Sequence, residues 1–450
     1  MTDRHRGLSL PYGLGSVTVE IPTKNIKIIK PNNIPKIFSE NIAIQKALLN
    51  PINSKRLSEL VSHRPLVCPF GVSAADAGCE GGKVAIIVSD ITRPIPTAKI
   101  LPVLLEELYK GGVSNKDITI VFALGIHRKQ TEKEKKKIVG SEIYNRIKCI
   151  DHDINNCIKI GRTKRGTPVD IFKTVAEADI VICTGMIEFH YYAGYTGGAK
   201  SILPGVSSRN SIEKNHAMMI DPSCVTGNLN GIVRKDIDEA GTILKIDFIL
   251  NVILNSNKEI VAAVAGHPIE AHRIGCSYVD KMYKVNVDKA DIVITSAGGY
   301  PKDINLYQAH KALEFAKTFA KNNGSIILIA ECSEGLGNKV YEKWLKEYKK
   351  EEIKDKLKSS FEFGGHKAFF LTELAKNFDL YLVSELSEEL AKKSYFIPAS
   401  SAQDALECAI NKHGKNASVI VILHCGVINS DVPSAINSKI TNDENMEVKR

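Results

Sequence analysis

Short apolar runs alternate with longer amphipathic stretches along most of the chain, in two successive sets. In the first, Val84-Ala-Ile-Ile-Val88 is an unbroken apolar run of strand length. Thr97 to Lys110 then carries apolar residues at helical spacing and closes on Gly111-Gly112, and Ile118 to Leu124 is apolar again. Strand, helix and strand at this spacing predict a βαβ unit, and Ile180 to Thr184 adds a third buried strand. Upstream, the alternation from Ser16 to Ile21 predicts an early strand, and residues 36 to 61 carry a weaker helical pattern. Residues 243 to 265 read as a hairpin turning at Asn255-Ser256-Asn257, and a helix from Ile269 to Lys284 would bridge to the next domain.

The second set begins after that bridge. It comprises strand Ile292 to Thr295, helix Gln308 to Lys321, strand Ser325 to Ala330, helix His366 to Asn377, strand Leu380 to Val383, helix Ala402 to Lys412 and strand Val419 to Leu423. The expectation is therefore an α/β protein of two α/β domains with mainly parallel sheets and an active site in the cleft between them. The boundary is placed at 1–275 and 276–450, with a polar, frayed tail from Ser438 to Arg450.

Composition narrows the class without changing this outline. A chain of 450 residues exceeds one ordinary core, and 44% apolar with 25% charged residues is globular. The net charge of +9 comes from lysines interleaved with acidic residues, as in Arg128 to Lys137 and Lys346 to Lys358. That interleaving is the pattern of solvated helix faces, so no nucleic-acid partner is expected, although the positive field would favour an anionic small substrate. Ten scattered cysteines include no C-x-x-C pair. With no secretory segment and no apolar run near ~20 residues, neither membrane insertion nor export is expected, and the chain reads as cytoplasmic.

Four clusters carry the candidate chemistry, and all sit where predicted strands end, the place at which an open parallel sheet gathers its ligands. Asp90 and Arg93 lie in Ser89-Asp-Ile-Thr-Arg-Pro-Ile-Pro96, where the guanidinium suits a carboxylate or phosphate and an internal Asp–Arg pair is the plainer reading. His127 follows the strand ending at Leu124. His190, Lys200 and His216 surround a glycine-rich turn in Gly185 to His216, a mixture of bases and possible ligands without the H-E-x-x-H spacing of a zinc protease. Within it, Gly194-Tyr-Thr-Gly-Gly-Ala-Lys-Ser201 approaches a phosphate loop, with Ala199 in place of the second glycine, so a nucleotide-binding enzyme is the alternative. In the second set, Tyr307, Gln308 and Lys311 fall within about one helical turn after Gly298-Gly-Tyr-Pro-Lys, and Tyr307 and Lys311 share a face.

Taken in order, Asp90-x-Thr-Arg93-Pro, Gly125-x-His127-Arg128, Ile187-Glu-x-His190, Lys200, Asn215-His216, Gly299-Tyr-Pro-Lys and Tyr307-Gln-x-x-Lys311 resemble the nickel-dependent lactate racemase family, from Leu10-Pro-Tyr-Gly to Gly365-His-Lys-Ala368 and beyond. The resemblance implies a racemase or epimerase of a 2-hydroxy acid. It also implies a nickel-pincer nucleotide, pyridinium-3-thioamide-5-thiocarboxylic acid mononucleotide, tethered to Lys200 and with its nickel on His216. By the same resemblance His127 and His190 are paired acid/bases, Arg93, Tyr307, Gln308 and Lys311 hold the substrate, and Asp90 supports the site. Removing the α-hydrogen as hydride avoids building a second negative charge beside the carboxylate. The family pattern has proline and arginine where this chain has Phe189 and Ala199, which leaves malate, longer 2-hydroxy acids and sugar acids open beside lactate.

Overall fold

A computed structural model describes residues 7–22, 25–32, 39–62, 82–423 and 426–432. The tail from Ser438 and the first residues of the weakly helical 36–61 stretch lie outside them. Among the described residues the chain divides into two compact units, 39–281 in one, and 282–432 with the N-terminal residues to 32 in the other. The expected boundary at 275/276 therefore falls inside the helix Glu270–Tyr283, close to the observed division. The expected 1–275 block differs more at its start. The strand Ile26–Ile29 pairs in parallel with Val419–Ile422, with Ile26 opposite Val419, so the N-terminal residues belong with the second sheet. The sequence reading marked no strand at 26–29, and no local pattern names the sheet a strand joins.

The first unit is built on a six-stranded sheet. Its order is Ile260–Gly266, Phe248–Leu254, Ile180–Met186, Val84–Ser89, Ile118–Ala123 and Lys148–Asp151, all parallel except the hairpin at the Ile260 edge. Burial on both faces explains the unbroken apolar runs. The helix Thr97–Lys110 lays Ile100, Leu104 and Leu108 into a core shared with Val84, Ile86, Val88, Ile120 and Phe122. From Val84 the chain winds outward through Ile118 to Lys148, then returns to place Ile180 on the other flank of Val84. The winding reverses between those two strands, and such a switch point opens a crevice beyond their carboxyl ends.

The second unit repeats the principle with an all-parallel sheet ordered Ile397–Pro398, Asp379–Val383, Ala320–Ile329, Ala290–Ser296, Val419–Ile422 and Ile26–Ile29. Its winding reverses beside Ala290–Ser296, and the glycine-rich Gly298-Gly299 turn leads from that strand to the helix Leu306–Ala316. Apolar residues of the helix Ala402–His413, including Ala405, Leu406 and Ala409, pack on this sheet's Ile292, Ile294, Ile327 and Val421. No helix of the described residues is long and apolar enough to cross a membrane.

Candidate functional site

The strand Val84–Ser89 ends in Asp90, which is buried. The turn that follows is closed by Thr92, whose hydroxyl donates to Asp90 Oδ1 at 2.6 Å, and by the Arg93 amide, which donates to the Asp90 carbonyl. The next strand over, Ile118–Ala123, delivers His127, whose Nδ1 lies 2.6 Å from Asp90 Oδ2. An ionised carboxylate can only accept, so the imidazole carries its proton on Nδ1 and presents Nε2 as a base. Gln130 ties the two loops together by accepting from the Ile91 amide at 2.8 Å. Burial alone would raise the Asp90 pKa. The bonds from His127 and Thr92, with the charges of His127 and Arg93, outweigh it and hold the carboxyl below its ordinary value.

Across the switch point the strand Ile180–Met186 leads into the glycine-rich stretch. Glu188 lies 3.9 Å from Arg93, joining this loop to the Asp90 turn. His190 and Lys200 are partly exposed and His216 is buried. Tyr192 stands among them, its ring 4.5 Å from that of His190 and 5.4 Å from that of His216, with Lys200 Nζ 6.0 Å from its centre. The sequence reading missed Tyr192, and only its place two residues after His190 pointed to it. His190 Nδ1 accepts from the Ala193 amide at 3.3 Å, so in the neutral ring the proton sits on Nε2, the reverse of His127. His216 is carried by the helix Arg209–Ala217, capped by the Ser208 side chain. The neighbouring Asn215 fixes that helix to Asp236 at 2.8 Å, and Asp236 is held in turn by Thr163 at 2.6 Å.

The loop is fastened from beneath. Arg234, fully buried, donates through Nε to the Ala193 carbonyl at 3.1 Å and through Nη2 to the Tyr195 carbonyl, and it pairs with Asp238, which Arg273 also holds. Asn251 Oδ1 accepts from the Gly198 amide at 2.8 Å, and His272 Nε2 donates to the Thr196 carbonyl at 2.8 Å. Sequence reading missed Arg234 because it assigned no element or chemistry between His216 and Ile243, where the helix Ile232–Leu244 lies.

These fastenings account for the glycines. A Cβ on Gly194 would lie 2.3 Å from the Asn228 carbonyl oxygen, and one on Gly197 would lie 2.8 Å from Ile187 Cγ1. Both glycines have φ above +70°, so they serve close backbone approach to the protein's own atoms. The phosphate-loop alternative also loses its context. Gly198–Ser201 is a single 3-10 turn, the Gly198 amide is already bonded, and no α-helix opens at Lys200-Ser201.

Electrostatically this is a cluster of neutral bases among cationic groups. Burial, followed by the charges of Lys200, Arg93, Arg234 and His216, holds the His190 pKa well below the ordinary histidine value. Burial, with Arg93 and Arg234, does the same to Lys200, and burial with Lys200 lowers His216 to about 3. A neutral amine is a nucleophile and a neutral imidazole is a metal ligand. Among the described residues no group of three or more His, Cys, Asp or Glu side chains is arranged to hold a metal ion. His216 could supply one ligand to a metal otherwise held by a bound group.

In the other unit, Tyr307, Gln308 and Lys311 occupy the first turns of the helix Leu306–Ala316, where Asn305 caps the Gln308 amide at 3.0 Å. Lys311 Nζ donates to Gln308 Oε1 at 2.9 Å. Tyr307 is partly buried, which pushes its hydroxyl up to about 12. The structure thus brings Asp90, Arg93 and His127 into one group, His190, Lys200 and His216 into a second joined to it through Arg93–Glu188, and Tyr307, Gln308 and Lys311 into a third.

Comparison with known proteins gives a consistent result. Residues 12–227 match the family model described as the lactate racemase N-terminal domain, and residues 285–428 match that of the lactate racemase C-terminal domain. The lactate racemase of Thermoanaerobacterium thermosaccharolyticum is 33% identical over 92% of this chain and 97% of its own length. That of Lactiplantibacillus plantarum is 31% identical over the same shares. The structure of the T. thermosaccharolyticum lactate racemase apoprotein superposes with a TM-score of 0.83 at 33% identity, covering 94% of this chain and 100% of that one. A Thermotoga maritima protein of known crystal structure, 17% identical with a TM-score of 0.60, shares the fold.

Proposed function

The chain belongs to the lactate racemase family, and from that premise we propose that it racemises or epimerises a 2-hydroxy acid with His127 and His190 as its acid/bases. Family membership makes it an isomerase. The observation that carries the finer reading is the gathering of Lys200, His216 and His190 about Tyr192, across one sheet switch point from the Asp90–His127 pair.

The donor set fits the nickel-pincer nucleotide. Lys200 has the depressed proton affinity that an acylated, tethering amine requires, and His216 is a buried neutral imidazole able to give one nitrogen ligand. When bound, that group supplies a hydride acceptor for the substrate's α-carbon. The chain's own residues do the rest. His127, oriented by Asp90, takes the hydroxyl proton at Nε2 and becomes an imidazolium that the buried carboxylate stabilises. For the opposite enantiomer His190 takes that role, and its proton must then move to Nδ1, breaking the long Ala193 contact at 3.3 Å. Such a bond is worth only about 0.5–1.5 kcal/mol, so the two bases are unequal but both usable. Arg93 is the candidate for the substrate carboxylate on the first unit, Tyr307, Gln308 and Lys311 are the substrate-binding candidates on the second, and the positive surroundings of the first favour an anion.

Three measurements test this reading. Intact mass spectrometry should find an adduct lost in Lys200→Ala, metal analysis should find nickel, and a screen of single enantiomers of 2-hydroxy acids should find one whose optical activity decays. Holoprotein from a host that makes the cofactor, carrying neither nickel nor an adduct at Lys200, would sink it.

A further inference from the structure

The helix Gly365–Asn377 begins with a lysine in an adverse place. Lys367 is its third residue, 3% exposed, so a side chain that is cationic in water sits in the first turn, where the helix dipole also disfavours positive charge. Among the described residues it forms no ion pair. Glu314, whose charge reaches it, is occupied by Lys317 at 2.6 Å and His310 at 3.3 Å. Instead, Lys367 Nζ donates to the Tyr307 carbonyl and stands 3.9 Å from the centre of the Tyr307 ring. One amine, whose proton affinity burial lowers as it does for Lys200, therefore meets one residue twice, through its backbone carbonyl and through its π-face.

The surroundings make this grip a fixed one. Gly364, with φ +109°, approaches Asn338 so closely that a Cβ would lie 2.2 Å from its side-chain oxygen, and a Cβ on Gly365 would enter the Trp344 ring at 2.6 Å. The start of the helix is thereby locked against the helix Lys339–Glu347. Tyr341 from that helix and His366 both meet the Tyr307 ring edge-on, at 5.8 and 6.4 Å. These three contacts flank the ring, while the neighbouring Lys311 is exposed.

We propose that Lys367 is a positioning residue, which holds the Tyr307 ring and its helix turn in place so that the phenol hydroxyl, Gln308 and Lys311 meet the substrate as one preset array. The proposal rests on the assignment of Tyr307 to substrate binding given above. It also gives the adverse burial of an amine a purpose that packing alone would not require, because an apolar side chain of similar length would fill the space without the desolvation cost.

The test pairs Lys367→Met, which keeps the volume and removes the amine, with Tyr307→Phe in the cofactor-loaded enzyme. Lys367→Gln stands in if the first variant does not fold. Lys367→Met should raise KM for the 2-hydroxy acid about tenfold with kcat changed less than about threefold, and it should add little to the defect of Tyr307→Phe in the double variant. Its crystal structure should show the Tyr307 ring in a new rotamer. An unmoved ring, an unchanged KM, or a double variant whose losses multiply would overturn the proposal. If the wild-type holoenzyme racemises no 2-hydroxy acid, the functional reading falls, and the ring position in the variant still decides the role of Lys367.

Discussion

Replacing Gly197 with alanine separates two meanings of the glycine-rich loop. Gly197 has φ +79° and ψ −176°, a region essentially confined to glycine, where any other residue costs about 1–3 kcal/mol. The added Cβ would also lie 2.8 Å from Ile187 Cγ1, 2.9 Å from Asn251 Oδ1 and 3.2 Å from the Met186 carbonyl. Overpacking of that kind adds roughly 1–3 kcal/mol, and relaxation of the Ile187 side chain returns part of it. The expected loss is about 3 kcal/mol from the unit that carries the loop. Gly112→Ala is the control, since its φ is +88° but nothing lies within 4 Å of the new Cβ, so only the backbone cost of about 1–2 kcal/mol applies. Urea unfolding of the apoprotein by circular dichroism measures both. Trp344, the single tryptophan, lies in the other unit and supplies a reference signal. If the glycine existed only to leave room for a bound group, the apoprotein of Gly197→Ala would lose no more than the backbone cost, as Gly112→Ala does. A loss no larger than that of Gly112→Ala would therefore refute the reasoning.

Two further outcomes follow from the buried charges. Arg234→Met strips two carbonyls of their donor and leaves Asp238 to Arg273 alone, which should cost about 3 kcal/mol, the low end for breaking a buried pair. That corresponds to a fall of about 6–12 °C in the midpoint of thermal unfolding. A fall under about 3 °C would contradict the role given to it. For Asp90, the folded pKa lies below the unfolded one, so its stabilisation is full above the unfolded carboxylate value near ~3.9 and is lost as pH falls through the lower folded value. Asp90→Asn should make the acid limb of stability shallower, read by urea unfolding at about pH 6, 4.5 and 3, and an unchanged limb would count against the His127–Asp90 bond.

Much of the fold was legible because both six-stranded sheets are mainly parallel and buried on both faces. Runs such as Val84–Val88 and Val419–Leu423 have no polar residue to confuse with a helix face. The hairpin at Asn255-Ser-Asn257 was equally plain from its turn residues. The strand Ile26–Ile29 was harder, because its partner lies almost at the other end of the described chain and no local pattern encodes a partner. At the site, the reactive types His127, His190, Lys200 and His216 could be named from the sequence, since each follows a strand or a glycine turn. Their supports could not. Arg234, Asn251 and Lys367 occur within ordinary helices and strands, and only burial without a charged surface to reach separates them from solvated neighbours. The glycines are open in the sequence for a related reason, since a sequence shows that a side chain is absent without showing what occupies its place.

The pairing of Ile26–Ile29 with Val419–Ile422 also sets an order of assembly. A ribosome exposes the N-terminal strand early, but its neighbour emerges only after nearly four hundred more residues, about 20–80 s later at roughly 5–20 residues per second. The intervening unit can close during that interval from residues contiguous in the chain. The unit built from residues on both sides of it cannot be completed until Val419–Ile422 has emerged, and its early strand must meanwhile avoid other partners. A truncated gene beginning at residue 282 would produce a sheet whose Val419–Ile422 strand lacks its neighbour, with a row of backbone donors and acceptors open to self-association. Soluble expression of that half thus calls for the first thirty or so residues to be supplied with it, in cis or as a separate peptide.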